Sequence, residues 1–98
     1  MKALRIDDLR IDDVPKLIDM RYNEFSVMLE LGCASVKDID IIMLDDGVLY
    51  HNLKAQAAGM MRNELASLIA RTDVYGPAII AGRGGDDVAQ QYVDAYLT

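Results

Sequence analysis

Near the middle of the chain, Asp38-Ile39-Asp40-Ile41 alternates with the period of a strand and runs into Ile42-Met43-Leu44. Asp45-Asp46-Gly47 follows, and Val48-Leu49-Tyr50 resumes the apolar pattern. Two β-prone runs this close, separated by residues that accept positive φ and tight turns, predict an antiparallel hairpin over 39–50. The remaining elements have to be arranged around it.

Lys2 to Ile6 reads as a short strand, with Ala3 and Arg5 on one face and Leu4 and Ile6 on the other. Pro15, preceded by Asp12 and Asp13 as capping residues, predicts the start of a first helix. Its apolar stripe would be Leu17, Met20, Phe25, Met28 and Leu29, and Gly32 would end it in the left-handed conformation. After the hairpin, Asn52 reads as the cap of a second helix over Leu53 to Arg71, which Gly59 weakens. Gly76-Pro77 breaks the pattern before Ala78-Ile79-Ile80-Ala81, a run suited to a buried strand. Asp86-Asp87 then reads as the cap of a last helix through Val88, Tyr92, Val93 and Tyr96. The expectation is one α+β domain over 1–98: a single small mixed sheet of about four strands with three helices on one face, in the order β-α-β-β-α-β-α.

Composition narrows the function classes. Of the 16 acidic residues 13 are Asp, and four Asp pairs (7–8, 12–13, 45–46 and 86–87) stand where apolar runs stop. Asp favours caps and turns, so each pair has a structural reading. A net charge of −6 argues against direct nucleic-acid binding, which needs clustered Lys and Arg. Apolar runs far shorter than a bilayer is thick predict no membrane span, the N-terminus lacks a signal-peptide centre, and the lone Cys33 excludes an internal disulfide. A cytoplasmic protein is expected.

Candidate chemistry is sparse. Gly82-Arg83-Gly84-Gly85, between a strand and a helix, is the nearest thing to a phosphate-binding loop, but Asp86-Asp87 places negative charge where a phosphate would sit. No EF-hand spacing is present, so no metal or other cofactor is expected. His51 and Cys33 carry no flanking signature of a catalytic pair, and no enzymatic activity is expected. Tyr22, Tyr75, Tyr92 and Tyr96 are candidate interface anchors, and the methionines could line an adaptable surface. Asp7 and Asp8 have the weakest structural reading of the four pairs, which makes them, with Tyr92 and Tyr96, the candidate partner-binding residues.

Met1-Lys2-Ala3-Leu4, Asp45-Asp46-Gly47-Val48-Leu49, Asn52 with Ala55, and Tyr75-Gly76-Pro77-Ala78-Ile79-Ile80-Ala81-Gly82 with acids just after it resemble the small phage and plasmid proteins grouped as domain of unknown function 3846. The chain departs from that pattern at Gly32-Cys33, where such proteins tend to carry paired glycines. The resemblance implies a mobile-element accessory protein and supplies no activity. Combined with the acidic surface, it leads to the expectation of a non-catalytic protein binding a host or phage protein. Such a protein would inhibit a defence nuclease by mimicking nucleic-acid charge in a basic groove. A ligand or nucleotide binder at Gly82–Gly85 and a self-associating structural subunit, for instance a homodimer, are the alternatives.

Overall fold

The computed structural model describes residues 1–7 and 14–97. Its strands are β1 (Lys2–Ile6), β2 (Lys16–Asp19), β3 (Ile39–Leu44), β4 (Gly47–Asn52) and β5 (Ala78–Ala81). Its helices are α1 (Glu24–Leu31), α2 (Glu64–Ala70) and α3 (Gln90–Tyr96), and single 3-10 turns lie at Val36–Asp38 and Arg83–Gly85. The α+β class holds. The sheet has five strands in the order β2-β1-β5-β4-β3, and every neighbouring pair is antiparallel. The expectation of about four strands and three helices is close, with β2 the added strand, and the expected mixed strand directions are corrected to all antiparallel.

Every residue of β4 and β5 is buried, which suits near-continuous apolar strands at the sheet centre. Ala3, Val48, Tyr50, Ile79 and Ala81 face Val27 and Leu31 of α1. Leu4, Ile6, Leu49, Ala78 and Ile80 face the other way, against Ala66 of α2 and the half-buried Tyr92 and Val93 of α3. Helices therefore cover both faces, not one. The alternation within β1 and the hairpin strands assigns the faces.

Three sequence expectations fail for identifiable reasons. Residues 16–19 form an edge strand rather than the first turn of a helix: Leu17 pairs with Leu4, Ile18 with Ala3, and the Met20 N–H donates to the Met1 carbonyl at 2.9 Å. Pro15, just before that strand, is tolerated at a sheet edge as well as at a helix start. The helix begins only at Asn23, whose extended backbone (φ −153°) and side chain, accepting from Ser26 N–H at 2.8 Å, form the cap. Met20, Val27 and Leu31 are consequently the buried positions, whereas Leu17, Phe25 and Leu29 of the expected stripe are exposed. Gly32 does end the helix, at φ +68°.

The long second helix is replaced by turns over 53–59, a short extended stretch bridging Arg62 to Tyr75, and α2. Gly59 takes φ +81°, and Asn63 rather than Asn52 is the cap that starts the helix. Helix propensity in an alanine-rich segment thus yields to tertiary pairing. Asp86 and Asp87 do not cap α3, whose N-cap Ala89 makes no side-chain bond; Asp87 instead accepts from the Lys2 N–H at 2.8 Å. In the hairpin turn no residue has positive φ. Gly47 is there for space, because a Cβ would meet the Ala81 carbonyl oxygen at 2.5 Å. Among the described residues no helix is long and apolar enough to cross a membrane.

Candidate functional site

A cleft of about 350 Å³ opens between the start of α1 and the β3 side of the sheet. Tyr22, Asn23, Glu24 and Val27 form one wall, and Val36, Ile39, Ile41 and Tyr50 form the other. Its size falls near the lower end of ligand-binding cavities, which run from roughly 300 to 1,000 Å³. The local chemistry follows from the elements. Asn23 uses its side-chain oxygen to cap α1, which fixes the neighbouring Glu24 at the rim. Tyr22 lies against the glycine loop: a Cβ on Gly85 would meet the Tyr22 ring at 2.6 Å, so the loop seats the ring. Tyr50 is buried, and burial, with a smaller contribution from Tyr22, pushes its hydroxyl above the usual phenol range.

β3 is a sheet edge, and its register says which backbone groups face outward. The Leu53 N–H donates to the Asp38 carbonyl at 2.7 Å, and Leu44 pairs with Gly47 across a two-residue turn. Hydrogen-bonded pairs alternate with non-bonded ones in an antiparallel ladder, so Asp38, Asp40, Ile42 and Leu44 bond to β4. The N–H and C=O groups of Ile41 and Met43 therefore point away from the sheet, as does the Ile39 carbonyl, while the Ile39 N–H donates to the Val36 carbonyl and closes the 3-10 turn. The side chains of Ile41 and Met43 are 53% and 62% exposed, although they lie on the face that α1 partly covers.

The residues singled out from sequence are placed elsewhere. Asp7 pairs with Arg5 at 2.9 Å, and Arg5 also reaches Glu30 at 2.6 Å; Asp8 lies outside the described residues. Tyr92 packs half-buried against the α2–α3 side of the core, and Tyr96 is half-buried on the same helix. The Arg83 guanidinium donates to the Leu44 and Asp45 carbonyls at 2.6 and 3.2 Å. Gly82 and Gly85 lie against the Asp86-Asp87 backbone and Tyr22 respectively, while Gly84 is open. Of the candidate anchors, Tyr22 reaches the cleft; the signal that was missed is the unpaired edge of β3, which depends on strand order.

Cys33 and His51 sit on opposite faces of the sheet and form no dyad. His51 Nε2 is 3.0 Å from Asp40 Oδ2 in poor alignment for a hydrogen bond, so the pair is a contact of proximity across β3 and β4. Burial, and then Asp38, pushes the Cys33 thiol up. A raised acid holds its proton longer in the folded state, so Cys33 and Tyr50 contribute fully below their unfolded values and stability falls as pH rises past them. Thermal melts should be flat to about pH 8 and decline above about pH 9. Cys33→Ala should remove part of that decline, and iodoacetamide should modify Cys33 much faster in urea than in the folded chain. Equal rates would mean that the thiol is not shielded. Among the described residues no group of three or more His, Cys, Asp or Glu is placed to hold a metal ion.

The fold and cleft define a class: an antiparallel five-stranded α+β module whose edge strand β3 has no strand beside it among the described residues. Over 90% of its length, the chain is similar to part of a solved structure, described as the crystal structure of small RNA methyltransferase HEN1, with a TM-score of 0.71 and 23% identity. The chain spans only 14% of that protein, and at this identity the likeness shows the fold. No protein-family model and no curated protein sequence matches the chain.

This overturns the expectation of a non-catalytic anti-defence protein working by charge mimicry, since the structural likeness is to a segment of a small RNA methyltransferase. Several of the 16 acidic residues have partners in the chain: Asp7 with Arg5, Asp19 with the N-terminal amine, Asp46 with Gln91, Asp73 with Arg62 and Asp87 with the Lys2 N–H. In the Gly82–Gly85 loop, Gly82 and Gly85 sit in close contacts, whereas Gly84 faces open space.

Proposed function

We propose that this module takes up an extended segment of a basic protein partner by strand addition along β3, with one of the segment's side chains entering the adjacent cleft. The observation that carries it is the outward-facing backbone of Ile41 and Met43, with the Ile39 carbonyl, beside a largely apolar cavity. Strand addition draws affinity from main-chain hydrogen bonds and selectivity from pockets for alternate side chains. Charge favours a basic segment over a second copy of this chain. Asp38, Asp40, Asp45 and Asp46 flank or lie on the edge, and a second copy would bring the same charges and another −6. Direct capture of RNA is disfavoured by 10 basic residues against 16 acidic ones.

Capped heptapeptides in which valine alternates with lysine should bind about tenfold or more tightly than their valine–glutamate counterparts. They should shift the backbone amide resonances of Ile41 and Met43. Met43→Pro deletes an outward N–H without breaking a bond to β4, so it should weaken the lysine peptides about tenfold while the β3–β4 amides keep their resonances. Unchanged binding by that variant, or peptide shifts confined to β2, would refute strand addition at β3.

A further inference from the structure

We infer that the residue entering the cleft is a lysine-type cation, held by two tyrosines and a carboxylate; this deepens the strand-addition reading and rests on it for the path of the segment. Glu24 is the one charged residue among those lining the cleft, and among the described residues it has no ion-pair partner. Tyr22 and Tyr50 stand with it, and aromatic rings attract cations through the negative potential of their faces. Val27, Ile39 and Ile41 supply apolar wall for a methylene stem. This division suits an amphipathic side chain, which buries its stem and keeps its charge near a polar group. Two features fix the site before binding: Gly85 leaves room for the Tyr22 ring, and the Asn23 cap fixes the start of α1 beside Glu24. Little ordering cost then falls on the complex. A carboxylate in the segment would face Glu24 across an apolar wall, which excludes acidic side chains; an uncharged one would fill the cavity without drawing on Glu24 or the rings.

The test uses two alternating heptapeptides differing only at the central residue, lysine in one and norleucine in the other, measured by fluorescence anisotropy. The lysine peptide should bind roughly five- to tenfold more tightly. Glu24→Gln and Tyr22→Leu should each erase most of that difference while leaving the norleucine peptide within about twofold, an outcome that a merely structural role for either residue would not give. N-acetyl-lysine methylamide at millimolar concentration, a probe with no strand to add, should shift the Tyr22, Glu24 and Tyr50 amide resonances, and its norleucine analogue should not. Norleucine binding equal to or tighter than lysine overturns the cation anchor and leaves strand addition standing. If the heptapeptides leave the Ile41 and Met43 amides unmoved but the lysine probe still shifts the cleft, strand addition fails and the anchor survives; no shift from either probe overturns both.

Discussion

Asn63→Ala should cost about 3–4 kcal/mol, a large part of the roughly 5–15 kcal/mol by which a domain of this size is stable. Asn63 is 1% exposed, and its side chain joins three elements. The amide nitrogen donates to the Ile6 carbonyl of β1 and to the Gly76 carbonyl ahead of β5, both at 3.0 Å, and the oxygen accepts from the Ala66 N–H at 3.0 Å, capping α2. Loss of the cap costs about 1 kcal/mol, and each buried carbonyl deprived of this donor adds about 1 kcal/mol or more. At about 4–8 °C per kcal/mol, the melting temperature should fall by roughly 15–30 °C. Asn63→Asp separates the two roles. Its oxygen can still cap α2, but a carboxylate would face two carbonyl oxygens in a buried site, which raises its pKa above the unfolded value of about 3.9. A carboxyl raised in this way stabilises fully below the unfolded value and loses that contribution as pH climbs through the folded one. The Asp variant should therefore lie closer to wild type at about pH 4 than at pH 7 in urea unfolding. A wild-type–variant gap independent of pH would show that Asn63 acts only as a helix cap.

The network around Asn63 also shows why parts of this fold were legible and parts were not. The hairpin, β1 and β5 announce themselves within a few residues, through alternation, turn chemistry and a short apolar run, and Gly32 closes α1 for a local steric reason. The misread segments are those in which local preference conflicts with tertiary pairing. Residues 16–19 carry helical spacing and a helix-compatible Pro15, but β1 has a free edge that they can satisfy. Residues 53–62 have good helix formers, yet the Arg62–Tyr75 bridge and the partners of Asn63 set where α2 begins. The candidate site illustrates the same limit. Ile39, Ile41 and Tyr50 were visible as hairpin residues and Tyr22 as an aromatic anchor; that β3 ends the sheet, with α1 lying beside it, follows only from the strand order. The glycine loop was visible as a motif, and the Asp86-Asp87 flank already spoke against a phosphate cradle. What the sequence does not show is that Gly82 and Gly85 are crowded by backbone and the Tyr22 ring, while Gly84 faces open space.

That distinction yields the second large effect, a contrast between two glycines of the same loop. Gly82 has an ordinary extended backbone (φ −73°), but a Cβ there would lie 2.5 Å from the Asp87 carbonyl oxygen and 2.7 Å from the Asp86 Cβ. Gly84 is the reverse, with φ +64° and nothing within 4 Å of the added atom. Gly84→Ala should thus cost only the backbone penalty of the left-handed region, about 1 kcal/mol. Gly82→Ala cannot be relieved by turning a side chain, because backbone must move. The displaced segment is the one whose Asp87 carboxylate accepts from the Lys2 N–H and whose Val88 N–H donates to the Lys2 carbonyl at 2.8 Å, so the strain reaches the start of β1, between β2 and β5. A cost of about 2–3 kcal/mol and a fall in melting temperature of roughly 10–20 °C are expected. Loss of protection at the Lys2 and Val88 amides in hydrogen exchange should accompany it, with the β3–β4 amides retaining theirs. If Gly84→Ala proves the more damaging of the two, the loop is glycine-rich for its backbone shape, and the close approach at Gly82 is not what constrains it.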